Sequence, residues 1–290
     1  MPAIIFAILT LIGWGIGDIF GAIASRKIGG YSTTLWLLFS AVLMGSFYIP
    51  FAIPDLHQYT APLLILNIVL GLLLIIGNTL INEAMSVSNA SLVGVISSAA
   101  YSGPAVLLSA FLFKESLNFL QIFGLMIVFM GVIVCSVNFN ELRTGHIKDL
   151  IKDRGIILAL ISMMCWSIDA VFIKTLVLKV GWFWPIFIST SLFPLIFFYM
   201  RSKKIKVQSP FKKRAFISII LSALFLYGGE LTFNLGLKYG AVSIVSSISG
   251  AYPALFAILA FIIFRDKITR QQFFGITATL SGILLLTFFR

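Results

Sequence analysis

The chain has 290 residues, 60% of them hydrophobic and 11% charged, and a mean hydropathy of +1.07. That composition excludes a water-soluble globule and makes the lipid bilayer the partner of its largest surface. The net charge of +11 does not indicate nucleic acid, because most of the basic residues flank apolar runs, where they act as orientation signals at lipid headgroups.

A bilayer's hydrocarbon core is about 30 Å thick and is crossed by a helix of about 20 apolar residues. Ten such runs occur, at 3–24, 31–52, 62–85, 90–113, 119–138, 155–178, 182–200, 215–237, 241–264 and 271–289. The predicted fold is therefore an all-α membrane protein of ten transmembrane helices. The polar stretches 140–154 and 201–214 are too short to fold alone. The first run lacks a basic residue ahead of it and exceeds a signal-peptide core in length, so it is expected to be retained.

Taken in chain order, the polar residues inside these runs carry the information. The first run places Trp14 and Asp18 beside a stripe of small residues, Gly13, Gly17, Gly21 and Ser25, that admits another helix closely. The third sets Asn67, Gly71, Asn78 and Asn82 on one helical face, where amides hold a polar ligand or tie helices together. The fourth and ninth begin with small polar residues and reach Tyr101 and Tyr252, with Pro104 and Pro253 close behind. A proline inside a helix frees a carbonyl and permits a bend. The sixth run holds Trp166 and Asp169; the eighth holds Glu230, Asn234 and Lys238 at successive spacings of four. Lys238, near a helix end, reads as a snorkelling anchor.

An ionised side chain at mid-membrane costs about 2.5–3.5 kcal/mol or more. Asp18, Asp169 and Glu230 therefore need a partner, a wet cavity or a proton. Binding of substrate or protons is one reading of them; the other is hydrogen bonding to backbone or to Ser162 and Ser167 for Asp18 and Asp169, and pairing with Lys174 for Glu230. Cys135 and Cys165 read as small buried apolar side chains, and His57 and His146 fall in loops. No metal, cofactor or catalytic cluster is predicted, and hence no enzyme.

The chain also repeats itself. Lys114, Glu115, Gln121, Gly124 and Gly131 recur 151 residues later as Arg265, Asp266, Gln272, Gly275 and Gly282, and Tyr101 recurs as Tyr252. Near Asp169 the offset is 152, which sets that acid opposite Gly17. An odd number of spans per copy places two copies upside down to one another, and many transporters build a midplane site that way. The expected organisation is a five-helix unit at 1–139, a connecting loop at 140–154 and a second unit at 155–290. Counting alternate loops puts sixteen of the 21 basic residues on the side of the 201–214 loop. The positive-inside bias makes that side cytoplasmic and leaves both termini outside.

Trp14, Gly15 and Gly17, the matching Trp166, and the stretch from Ala241 through Tyr252 and Pro253 to Asp266 together carry a resemblance. On these residues the chain resembles an EamA-like, ten-helix member of the drug/metabolite transporter superfamily over nearly its whole length. It departs from the family pattern at Ser102, where a proline is usual, and at Asp266, where Glu is usual. The resemblance implies two inverted five-helix repeats around a central cavity, lined mainly by helices one, three, four, six, eight and nine, and cytoplasmic termini. Helices five and ten are then peripheral, their paired glycines facing a neighbour in the chain or the second subunit of a homodimer.

The function expected is secondary active transport of a small polar or amphipathic metabolite across the plasma or inner membrane by alternating access. Proton coupling would make it an antiporter. The candidate substrate- and proton-binding residues are Asp18, Asp169, Glu230, Asn78, Asn82, Asn234, Trp14, Trp166, Tyr101 and Tyr252. A channel and a membrane-embedded enzyme are the alternatives; a GxxxxGK[ST] motif does not occur, so this chain does not itself bind ATP through one.

Overall fold

A computed structural model describes residues 2–113, 118–136, 153–265 and 269–288. Lys114, Glu115, Asp266 and nearly all of the 140–154 connector, with His146, lie outside the described residues. So do the side chains of Tyr101, Ser102, Gln121, Cys135 and Gln272. The regular elements among the described residues are helices, as a hydrocarbon solvent demands when every backbone N–H and C=O must be satisfied internally. They are α1 (Pro2–Ile28), α2 (Gly30–Ser46), α3 (Ile49–Leu56), α4 (Ala61–Val87), α5 (Ala90–Phe113), α6 (Phe119–Ser136) and α7 (Arg154–Val180). After them come α8 (Trp184–Ser191), α9 (Pro194–Ser202), α10 (Phe216–Tyr239), α11 (Val242–Ser249), α12 (Tyr252–Phe264) and α13 (Arg270–Phe288).

Among the described residues five stretches are long and apolar enough to cross a bilayer: α1, α4, α7, α8 with α9, and α10. A sixth is added if α2 and α3, bent by 85° at their junction, form one span. This is fewer than the ten apolar runs, and part of the reason is that apolar content does not reveal helix continuity. The second run breaks at Phe47 and Tyr48 and the ninth at Gly250 and Ala251, while the seventh is interrupted at Leu192 and Phe193 and still counts as one stretch. Pro253 occupies the first turn of α12, where a missing N–H is no loss. The proline in the fourth run breaks nothing, since α5 continues through Pro104.

Lipid tails are as apolar as leucine, so close packing rather than hydrophobicity joins helices here. The small stripe of α1 docks on α10. A Cβ on Gly13 would lie 2.8 Å from the Phe225 carbonyl oxygen, and one on Gly17 2.6 Å from Leu226 Cγ. Ser222 donates to the Gly17 carbonyl at 2.9 Å, and the Thr10 and Thr232 hydroxyls pair at 2.9 Å. Lys27 at the end of α1 reaches the Arg214 carbonyl ahead of α10, while Phe6 at the other end stacks on Tyr239. The two helices are antiparallel.

The pair α4 and α7 is built likewise. Ser162 donates to the Gly77 carbonyl at 2.9 Å, and Arg154 meets Glu83 at 3.6 Å where α4 ends and α7 begins. Asp153 caps α7 by accepting from Gly155 N and from the Ser88 hydroxyl. Gly30 packs against the backbone of Asn82 and Glu83, so α1 and α4 finish at the end where α7 and α10 start.

Two further features position the site. The links α1–α2 and α7–α8 turn at Gly29 (φ 79°, ψ 157°) and Gly181 (φ 81°, ψ 175°), 152 residues apart, in a region nearly closed to other residues. At the periphery α6 packs on α13. A Cβ on Gly131 would lie 2.6 Å from Thr279 N, and one on Gly282 2.7 Å from the Gly124 carbonyl oxygen. The paired glycines are thus taken up by a neighbour within the chain.

Candidate functional site

Mid-length along these helices lies a cavity into which seven of the sequence-selected residues converge. They are Asp18 and Trp14 from α1, Asn78 from α4, Trp166 and Asp169 from α7, Glu230 from α10 and Tyr252 from α12. Acids from three different helices thus face one space. The Tyr252 side chain interacts with Asp18, and the Trp14 side chain with Glu230. Glu230 also feels the charges of Asp169 and Asp18. Trp14 packs edge-on to Tyr252 at 5.6 Å and tilted against Phe233 at 5.1 Å, so the two acids and the aromatic rings beside them form one assembly. Asp169, partly exposed, makes no hydrogen bond among the described residues.

Two selected residues stay out of the cavity. Asn82 accepts from Ser25 and donates to Thr34 and to the Asn78 carbonyl, which ties α1, α2 and α4 together. Asn234 donates to the Trp182 carbonyl and holds the α7–α8 link. Both are buried amides with structural partners. Asn67 is likewise spent, bridging Tyr59, Pro185 and Ser189. The remaining choice, Tyr101, has a side chain outside the described residues.

The lining also corrects the expected set of helices. Leu37, Leu38 and Ala41 of α2 and Ile186 and Thr190 of α8 contribute, from the second and seventh apolar runs, while no described residue of α5 does. Tyr227 and Phe233 of α10 add aromatic wall. The signal that finds these positions is the repeat. Five pairs of lining residues are each separated by 152: Trp14 and Trp166, Asp18 and Ala170, Leu38 and Thr190, Leu74 and Leu226, Asn78 and Glu230. The correspondence extends to packing, because the Trp14 ring covers Gly229 and the Trp166 ring covers Gly77, again 152 apart. A Cβ on either glycine would come within 2.7 Å of the indole.

Two stretches, residues 1–137 and 153–288, match the profile of the EamA-like transporter family. The chain belongs to that family. EamA-like proteins are membrane transporters rather than enzymes, which agrees with a multi-pass helical chain enclosing a cavity lined by three acids. A curated relative, the "Uncharacterized transporter YyaM" of Bacillus subtilis (strain 168), is 37% identical over 78 residues, 27% of this chain and 26% of the relative. The alignment therefore spans about a quarter of that relative's length. A solved structure described only as "Crystal structure of protein" superposes with a TM-score of 0.70 over 98% of this chain and 97% of its own, at 14% identity. At that identity the likeness is one of fold.

Proposed function

We propose that this EamA-like protein is a secondary active transporter that moves a small polar or amphipathic metabolite by alternating access, exchanging it for protons bound at Asp18, Asp169 or Glu230. In this reading ten spans form two inverted five-helix units, 1–139 and 155–290, joined by the 140–154 loop. The observation that carries it is the lining itself, in which equivalent positions of the two repeats meet around three acids. Two copies of one unit related in this way have two near-equivalent ways to lean on each other, which is what exposing one cavity alternately to either side requires. The binding set is Asp18, Asp169, Glu230, Asn78, Trp14, Trp166 and Tyr252.

The test is counterflow in proteoliposomes under an imposed pH gradient. Asp18→Asn and Asp169→Asn should each abolish proton-linked movement while the protein elutes as a folded species. Unimpaired pH-driven transport in both variants removes these acids from the mechanism, and conductance without counterflow identifies a channel instead.

A further inference from the structure

The charge of the cavity wall narrows the class of solute. Three carboxyl groups line it, and among the described residues no Lys, Arg or His does. An amino acid or an organic anion would bring its own carboxylate among three others with nothing in the wall to balance it, and like charges at short range in a poorly solvated space repel strongly. A sugar fares little better, because beyond the acids and Tyr hydroxyls the wall offers Asn78 and Thr190 as polar groups and is otherwise apolar or aromatic. A positively charged group meets the reverse situation, with carboxylates for its charge and aromatic rings for cation–π contact.

The acids are also not alike. Asp18 has the Tyr252 side chain beside it and Glu230 the Trp14 side chain, whereas Asp169 lines the cavity with no such polar side chain set against it among the described residues. Resting on the transport reading above, we propose that the substrates are organic cations without a carboxylate, arylalkylamines among them, and that Asp169 is their counter-ion. Trp14, Trp166 and Tyr252 hold the apolar part of such a molecule, while Asp18 and Glu230 stay fixed by their aromatic partners and sustain the negative potential.

Isothermal titration calorimetry on the purified full-length protein tests this with three probes of one shape and three charges: phenethylamine, phenylalanine and 3-phenylpropanoate. The amine should bind at least tenfold more tightly than either of the others. Asp169→Asn should weaken amine binding tenfold or more, and Asp169→Glu should keep it within about threefold. Equal or tighter binding of phenylalanine or 3-phenylpropanoate overturns the proposal, as does absence of amine binding in the millimolar range or full amine affinity in Asp169→Asn. If the Asn variant does not fold, the three probes on the unaltered protein decide. Counterflow separates this proposal from the transport reading: amine binding without flux sinks transport alone, and phenylalanine flux without amine binding sinks the cation assignment alone.

Discussion

At the scale of single residues, the acids were legible in the sequence because a carboxylate in an apolar run contradicts its surroundings. The amides were not separable. Asn78, Asn82 and Asn234 share spacing and chemistry, and only the partners of Asn82 and Asn234 set them apart from the cavity lining. Leu38, Thr190 and Phe233 were invisible for the opposite reason, being unremarkable residues in apolar runs. Gly29 and Gly181 make the sharpest residue-level prediction. A Cβ at Gly29 would meet no atom within 4 Å, so any loss in Gly29→Ala comes from the backbone conformation alone. The expected cost is about 1–3 kcal/mol, read as a lowered thermal midpoint in detergent. An unchanged midpoint refutes the strain. Gly181→Ala should cost at least as much, since its Cβ would also sit 3.0 Å from Asp55 Oδ2.

The same scale fixes the sign of pH dependence. Protonating Asp18, Asp169 or Glu230 removes negative charge from the cavity, and among the described residues no basic side chain of the lining titrates in opposition. A proton and a cation therefore compete. Affinity for phenethylamine should fall as pH drops from 8 to 6, and calorimetry at the two values should also detect more protons released per amine bound at the lower pH. Identical affinity at both values would remove competition as the basis of coupling.

At the scale of elements, the existence of helices was easy to read and their interruptions were not. Hydropathy is indifferent to whether residue 47 continues a helix, and the 85° bend between α2 and α3 leaves no mark on composition. Glycine spacing was more informative. The pairs 124/131 and 275/282 announced a close helix contact, although spacing alone does not say whether the partner lies in the same chain. In the structure it does, and Gly131→Leu should drive a side chain into Thr279 and the Gly275 carbonyl. Overpacking of this kind costs about 1–3 kcal/mol. The α6–α13 seam lies away from the cavity, so the variant should show a lower thermal midpoint with probe affinity unchanged. Altered affinity with an unchanged midpoint would mean that the seam communicates with the site.

At the scale of the molecule, charge bias and family resemblance point to opposite orientations, and the packing sharpens the contrast. The end where α1 and α4 finish and α7 and α10 begin gathers Lys27, Arg154, Arg201 and the 203–214 segment, with Lys27 bound to the Arg214 carbonyl. Helix directions set Gln58, between α3 and α4, at the opposite end. Positive residues near span termini are held on the cytoplasmic side during insertion, so this end should face the cytoplasm and α1 should begin outside, against the cytoplasmic termini implied by family resemblance. Single cysteines decide between them, placed at two exposed positions as Lys206→Cys and Gln58→Cys in a chain whose own Cys135 and Cys165 are replaced by Ala. In intact cells a membrane-impermeant maleimide should label Gln58→Cys and reach Lys206→Cys only after permeabilisation. The reverse pattern would mean that the basic cluster is an anchor to anionic headgroups on the outer face, and that charge bias did not set the topology of this chain.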